Sequence, residues 1–437
     1  MSESNLQENN AFVRLLLRST NMQPNEVKAA VMSFLFVFLL MTAYYLVRPM
    51  RDAMASDWSD AEVSTLWTIN FFISTAAVAL YGFFISKVDF KKIVPSVYLF
   101  FSVSFVIFYL MTRTASDTVL VDKSFYVWIS VFALFHISVF WSFMSDTYNK
   151  DQASRLFSVI TAGASIGAIA GPGLSAIFSQ TISEAAMVLV SAVILLFTIP
   201  IISSLRTLKV TDLNNSSLAV DLEKVKIGGN PFHGFKEFIS NPYLLGIGLF
   251  IILYTGVGSF TYLEQKNLLE PFAREDRNFI YSIRDVVANT ITFVLAFFLT
   301  GRIVPKLGMP VALALVPVLL ILGMLILALS PIWIVAVSVW VARSAGNYGL
   351  ARPAREMLFT QVDQESRYKT KPVIDIVAYR GGDVIMGWFF TGLTQGLGLG
   401  LAAVAVVGAG IAALWAVVGV FLGRIYERSE KEQKLVS

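Results

Sequence analysis

Residues 124–155 read SFYVWISVFALFHISVFWSFMSDTYNKDQASR, an uncharged run from Ser124 to Ser145, a polar turn, and the pentapeptide Asp151-Gln152-Ala153-Ser154-Arg155. A helix rises about 1.5 Å per residue, so roughly 20 apolar residues cross the ~30 Å hydrocarbon layer of a bilayer. The run has the length and composition of one membrane span. A close variant of its pentapeptide returns as Asp363-Gln364-Glu365-Ser366-Arg367, an offset of 212 residues. A span ending in a polar motif that recurs at the equivalent place in the second half predicts two copies of a multi-span unit.

Eleven further runs share this character in a chain that is 56% hydrophobic and only 15% charged, a composition that excludes a soluble globular protein. Twelve spans are expected at about 29–51, 62–86, 93–112, 124–146, 156–178, 185–205, 242–262, 279–301, 309–328, 331–351, 372–396 and 401–423. The uncharged stretch from Leu307 to Ala342 is too long for one span and divides at Ser330-Pro331, because proline restricts the residue before it. A second long run divides at Gln395–Gly400. The expected organisation is an N-terminal tail 1–28, a six-helix bundle 29–205, a linker 206–241 centred on Gly228-Gly229-Asn230-Pro231, a second bundle 242–423 and a tail 424–437.

With an even number of spans both termini share one side. Tails and loops on that side carry 24 of the 34 lysines and arginines, so the positive-inside rule places both termini in the cytoplasm. Only Arg113, Lys123, Lys266, Arg274 and Arg277 fall in loops of the opposite side. This asymmetry accounts for the net charge of +4 without a nucleic-acid partner. The first apolar run is too long for a cleaved signal peptide and ends in Arg48-Pro49-Met50-Arg51-Asp52, so it is expected to remain as an anchor in a plasma membrane, the bacterial inner membrane. No cysteine and only two histidines, His136 and His233, leave little for a metal centre, and no cofactor is expected. No phosphate-cradling loop or nucleophile motif points to an enzyme. Two six-helix halves with repeated loops give the fold expectation: an all-α integral membrane protein of twelve transmembrane helices in two six-helix pseudo-repeats, the major facilitator type, expected as a monomer.

Charges within or at the ends of these spans are the functional signal. Arg48, Arg51, Asp52, Arg284, Asp285, Arg343, Asp375, Arg380 and Asp383 lie at or near membrane depth, where a charged side chain costs on the order of 2.5–3.5 kcal/mol and usually faces a bundle interior or a wet cavity. Arginine forks match carboxylates and phosphates, so the excess of arginine suits a small anionic solute. The same groups also suit helix pairing, Arg51 with Asp52 or Asp375 and Arg284 with Asp383. Asp52 and Asp383 could carry protons, His136 could titrate or pack, and Asn347, Tyr348, Trp67, Asn70 and Trp141 could line a cavity. Gly163, Gly167 and Gly171, four apart, read first as close helix packing. Lys87, Lys91, Arg302 and Lys306 read as topology and lipid contacts, and Phe12–Arg18 as a short amphipathic turn on the membrane.

Three segments carry a more specific resemblance. Tyr44-Tyr45-Leu46-Val47-Arg48-Pro49-Met50-Arg51-Asp52, then Phe140-Trp141-Ser142-Phe143-Met144-Ser145-Asp146 with Ala153-Ser154-Arg155-Leu156-Phe157, and finally Asn347–Thr360 with Tyr368–Asp375 resemble motifs of the ATP/ADP translocase, or nucleotide transporter, family. The resemblance implies a nucleotide carrier working by exchange or uptake, with Arg48, Arg51, Arg284, Asn347, Tyr348, Arg352, Arg355 and Arg380 toward the solute. Asp52, Asp285, Glu356, Asp375 and Asp383 would serve coupling or helix pairing. Arg355 stands where that family has lysine before Glu-Met, Arg51 stands where it has lysine before the acid, and Ser145 stands where it has asparagine. These departures mark a divergent member. They leave open a proton-coupled carrier of another anionic metabolite or a siderophore-like chelator, and, further off, a membrane receptor that does not transport.

Overall fold

The computed structural model describes residues 22–85, 90–215, 238–298, 306–362, 370 and 374–436. Among these residues the protein is helical throughout, with no strand. Phe12–Arg18, Lys87, Arg302, Gly228–Pro231 and Asp363–Arg367 lie outside the described residues, as do the side chains of Lys91 and Asp375.

Among the described residues, ten helices are long and apolar enough to cross a membrane. They are α1 (Val27–Ala55), α2 (Asp60–Ile85), α3 (Phe90–Thr114), α4 (Val119–Thr147), α5 (Lys150–Phe178), α6 (Glu184–Thr211), α7 (Pro242–Leu269), α8 (Arg274–Phe298), α9 (Met309–Leu329) and α12 (Leu401–Val436). Two more are broken by wide turns. The first, α10, begins as Trp333–Gly346, passes through π-helical Asn347–Ala351 and ends as Arg352–Leu358. The second, α11, joins π-helical Ile374–Gly381, α-helical Gly382–Thr391 and π-helical Gly392–Gly396. In α10 the cause is local: Pro353 lacks an N–H and its ring opposes the carbonyl four residues back, so the backbone widens just before it. Large apolar side chains such as Leu329, Leu397 and Val417 stand exposed, as suits a chain whose solvent is hydrocarbon.

The helices gather into two compact units. One holds the described residues of 1–51, 76–226 and 278–286, the other those of 52–75, 227–277 and 287–437. In the first unit, Gly163, Gly167 and Gly171 let α5 lie against α1. A Cβ on Gly163 would stand 2.6 Å from the Phe34 carbonyl oxygen and one on Gly171 2.7 Å from that of Thr42. The glycine series is therefore a packing seam. Phe36 fills the neighbouring core edge-on to Tyr98 and Phe140, at 5.4 and 5.1 Å between ring centroids. In the second unit α12 packs along α9 and α7, and α7 in turn packs on α11.

The first pentapeptide is explained locally. Asn149 accepts from the Gln152 N–H at 2.9 Å while the Gln152 side chain accepts from the Asn149 N–H at 3.1 Å, a reciprocal cap that starts α5. Asn215 closes the turn, donating to Gln152 Oε1 at 2.6 Å and the Thr147 carbonyl at 3.1 Å. Arg155 meets the buried Glu26 at 2.5 Å.

Helix ends correct two sequence expectations. Lys266 and Arg277, expected in loops, are buried within α7 and α8, because nearby carboxylates and carbonyls compensate charges that a hydropathy reading assigns to water. The segment from Arg424, expected as a tail, continues α12 as helix to Val436.

Candidate functional site

Each unit holds a cluster of arginines at span positions. In the first, Asp285 of α8 is 0% exposed and stands between two guanidinium groups. Arg284 donates from Nε to Asp285 Oδ1 at 3.0 Å and lies 2.9 Å from it through Nη2, while Arg48 Nη1 of α1 is 3.4 Å from Oδ2. Tyrosine rings back both cations: Arg284 lies 4.5 Å above Tyr281 and Arg48 5.3 Å above Tyr45. One turn along α1, Arg51 reaches Ser130 Oγ at 3.3 Å and stands over Tyr126 at 5.2 Å. Arg48 keeps 19% of its side chain exposed, so the cluster has an accessible cationic edge on a buried ion pair. His136 stacks on Tyr44 at 4.6 Å, and its Nδ1 lies 3.1 Å from the Phe132 carbonyl oxygen.

In the second unit the organising residue is Tyr254 of α7. Arg343 of α10 lies 4.5 Å above its ring, with Tyr379 6.1 Å and Trp415 5.6 Å away between centroids. The position of Arg343 requires Gly258, whose missing side chain leaves the space that the guanidinium fills. Arg355 donates to the Tyr379 hydroxyl and to Glu356 Oε1, the latter at 2.7 Å. Arg352 stands over Tyr348 at 5.7 Å. Arg343 and Arg380 are the cationic neighbours of the Asp383 carboxyl. Asn347 is buried in the π-helical stretch of α10, while Tyr348 beside it is half exposed. Gly382 meets Thr255, so α11 approaches α7 closely at that turn.

The structure thus brings together Arg48, Arg284 and Asp285 in one unit, with Arg51 a turn away. It brings together Arg352, Arg355, Glu356, Arg380 and Asp383 in the other, with Tyr348 and Asn347. Asp52 is buried in the second unit at the end of α1. Sequence reasoning missed Tyr254, Tyr379, Tyr281 and Ser130, whose signal in a chain is no different from that of ordinary span residues. Arg343 was visible as an intramembrane charge but was not placed among the solute residues.

What these helices define is a multi-pass membrane protein of transporter fold, with arginine clusters at its spans in which Arg284 and Arg355 are buried. The chain belongs to the Major Facilitator Superfamily, whose family model matches residues 33–362. Among solved structures, the nucleoside transporter NupG is similar with a TM-score of 0.62 and 14% identity, covering 92% of this chain and 99% of that one. A bacterial homolog of the human lysosomal transporter Spinster, captured inward-facing and unoccupied, is similar with a TM-score of 0.55 and 16% identity over 93% of this chain and 97% of that one. Among curated proteins, none matches the chain.

Proposed function

We propose that this protein is a secondary carrier of a small organic anion, most concretely a nucleotide, moved by exchange or uptake through alternating access of its two six-helix halves. The reading places it as a monomer in a cell inner membrane with both termini cytoplasmic. The observation that carries it is the Arg48–Asp285–Arg284 cluster, two guanidinium groups on one carboxylate, with Arg284 and Asp285 buried and Arg48 partly exposed. An anion entering beside Asp285 would meet Arg48 at its exposed edge and could take that guanidinium without uncovering the pair beneath. Arg343, Arg352, Arg355 and Arg380 give the second unit the same chemistry, and the tyrosines beside them offer faces on which a planar base can stack. Asp52, Asp285, Glu356, Asp375 and Asp383 are assigned to coupling or helix pairing. A nucleoside transporter has this fold, and a nucleotide adds the phosphates that arginine forks recognise.

The test is thermal stabilisation of the purified protein by ATP, ADP, nucleoside monophosphates, dicarboxylates and catecholate chelators, repeated with Arg48→Ala. A shift with nucleotides that disappears in the variant supports the assignment. A shift with another anion alone reassigns the substrate, and no shift with any of them rejects the anion reading.

A further inference from the structure

Gly381 of α11 is a glycine that the fold does not require. Its backbone is ordinary right-handed helix, φ −64° and ψ −36°, and a Cβ added there would meet no atom within 4 Å. Glycine inside a helix is less stable than alanine, because the unfolded chain gives up more freedom on folding. Neither backbone strain nor close packing offsets that cost here. The next residue differs: a Cβ on Gly382 would collide with the Thr255 hydroxyl, so this glycine lets α11 lie against α7. Packing explains one glycine of the pair and leaves the other unexplained.

What distinguishes Gly381 is its surroundings. Arg380 precedes it in the chain and Asp383 follows two residues on. Helix α7 brings Arg343 of α10 to the same stretch: Arg343 lies 4.5 Å above the Tyr254 ring, Tyr379 stands 6.1 Å from that ring, and Gly382 meets the adjoining Thr255. Arg343 and Arg380 are the two cations whose fields reach Asp383. Among the described residues neither guanidinium has a carboxylate at ion-pair distance, and Arg343 Nε is buried without a hydrogen-bond partner. Two cations facing one carboxylate leave one positive charge unmet beside the open space at Gly381. Gly392, also on α11, faces open space too, but it lies between Thr391 and Leu393.

We propose that Gly381 is a specificity-determining residue. It keeps open the space in which the solute's anionic group rests against Arg380 and Arg343, and its missing side chain admits that group to the surface of α11. The group is a carboxylate or a phosphate, the oxyanions that a guanidinium fork meets with paired hydrogen bonds. One such group supplies the negative charge that Asp383 leaves wanting and gives Arg343 Nε an acceptor. A side chain at position 381 would stand beside Arg380 and take that volume instead. The inference rests on the carrier reading, whose arginines it uses, and adds an uncharged residue that the reading itself does not need.

Equilibrium binding of ATP, pyrophosphate and succinate to the detergent-purified protein tests it, with the unliganded melting temperature of each variant as the check on folding. Gly381→Val should raise the apparent Kd of whichever of these the parent binds by about tenfold or more, the loss of one charge-assisted hydrogen bond. Gly381→Ala should raise it less. Both variants should melt no lower than the parent, since nothing stands where the new atoms go. Gly392→Val should leave the Kd unchanged. In an Arg380→Gln background Gly381→Val should add little further loss, because the two changes remove the same contact. A parent Kd kept in Gly381→Val overturns this inference and leaves the carrier reading standing, as does a lowered melting temperature in that variant or an equal loss from Gly392→Val. A parent that binds none of the three anions overturns both.

Discussion

Arg284 and Asp285, adjacent in the chain, are ion-pair partners of each other inside α8, with Nη2 2.9 Å and Nε 3.0 Å from Oδ1. Successive residues on a helix point about 100° apart, so the arginine must fold back over its own helix to reach the carboxylate. Both charges stay in the interior, and Oδ2 is left to face Arg48. Removing one partner of a buried pair strands the other. Asp285→Ala is therefore expected to cost about 3–5 kcal/mol, and replacing both residues by leucine to cost much less. Thermal unfolding in detergent compares the two. The double variant should fold and, with Arg48 still at the exposed edge, keep the nucleotide thermal shift that Arg48→Ala loses, which separates the pair's part in stability from recognition at Arg48.

Arg355→Lys tests the second cluster. A lysine keeps the charge but cannot reproduce the planar fork that serves the Tyr379 hydroxyl and Glu356 together. The unliganded protein should melt lower, by the equivalent of about 1 kcal/mol, because the lost fork leaves one of these bonds unmade at a buried site. The apparent Kd for ATP should rise by about tenfold or more, the equivalent of one charge-assisted hydrogen bond, and titration with the thermal-shift readout checks it.

The α1–α5 seam predicts a steep size dependence. At Gly167 a Cβ would collide with the Phe38 carbonyl and stand 2.9 Å from Met41 Cβ, so Gly167→Leu should destabilise by about 1–3 kcal/mol or more. At Gly173 on the same helix a Cβ meets nothing within 4 Å. Gly173→Ala should be neutral or gain a few tenths of a kcal/mol, about what reduced backbone freedom provides. Melting of both variants side by side is the measurement.

Tyr148, in the turn between α4 and α5, shares a hydrogen bond of 2.8 Å with Ser33, and burial pushes its phenol well above the usual tyrosine range. The folded protein holds the neutral form while the unfolded chain ionises near pH 10. Its contribution to stability is complete below that pH and is lost as pH rises beyond it. Tyr148→Phe should flatten the alkaline limb of a stability–pH curve and, by removing the hydroxyl that Ser33 meets, lower the neutral-pH plateau by about 1 kcal/mol.

Span positions were legible because hydropathy over 20 residues is a local property: α2, α3 and α9 begin and end close to expectation, while α4, α5 and α6 run several residues further at one end, where polar caps extend the helix beyond its apolar part. The charges of the candidate site were legible for the same reason, since an arginine in an apolar run stands out wherever it points. Lys266 and Arg277 were misread because a hydropathy window counts a paired charge and a solvated one alike. The wide turns of α10 and α11 followed from no periodicity, and Tyr254, Tyr379 and Tyr281 look like any aromatic packing residue until an arginine is seen above the ring.

By itself the sequence determined that this chain crosses a membrane many times, in two related halves, with arginines at membrane depth, because span length, polar punctuation and misplaced charge are all written along one dimension. Only the tertiary structure decided which charge meets which: that Asp285 serves Arg284 and Arg48, and that Arg355 finds Tyr379 across helices. The reason is that a side chain's energy depends on what surrounds it in space, and neighbours drawn from helices hundreds of residues apart leave no trace in the local pattern.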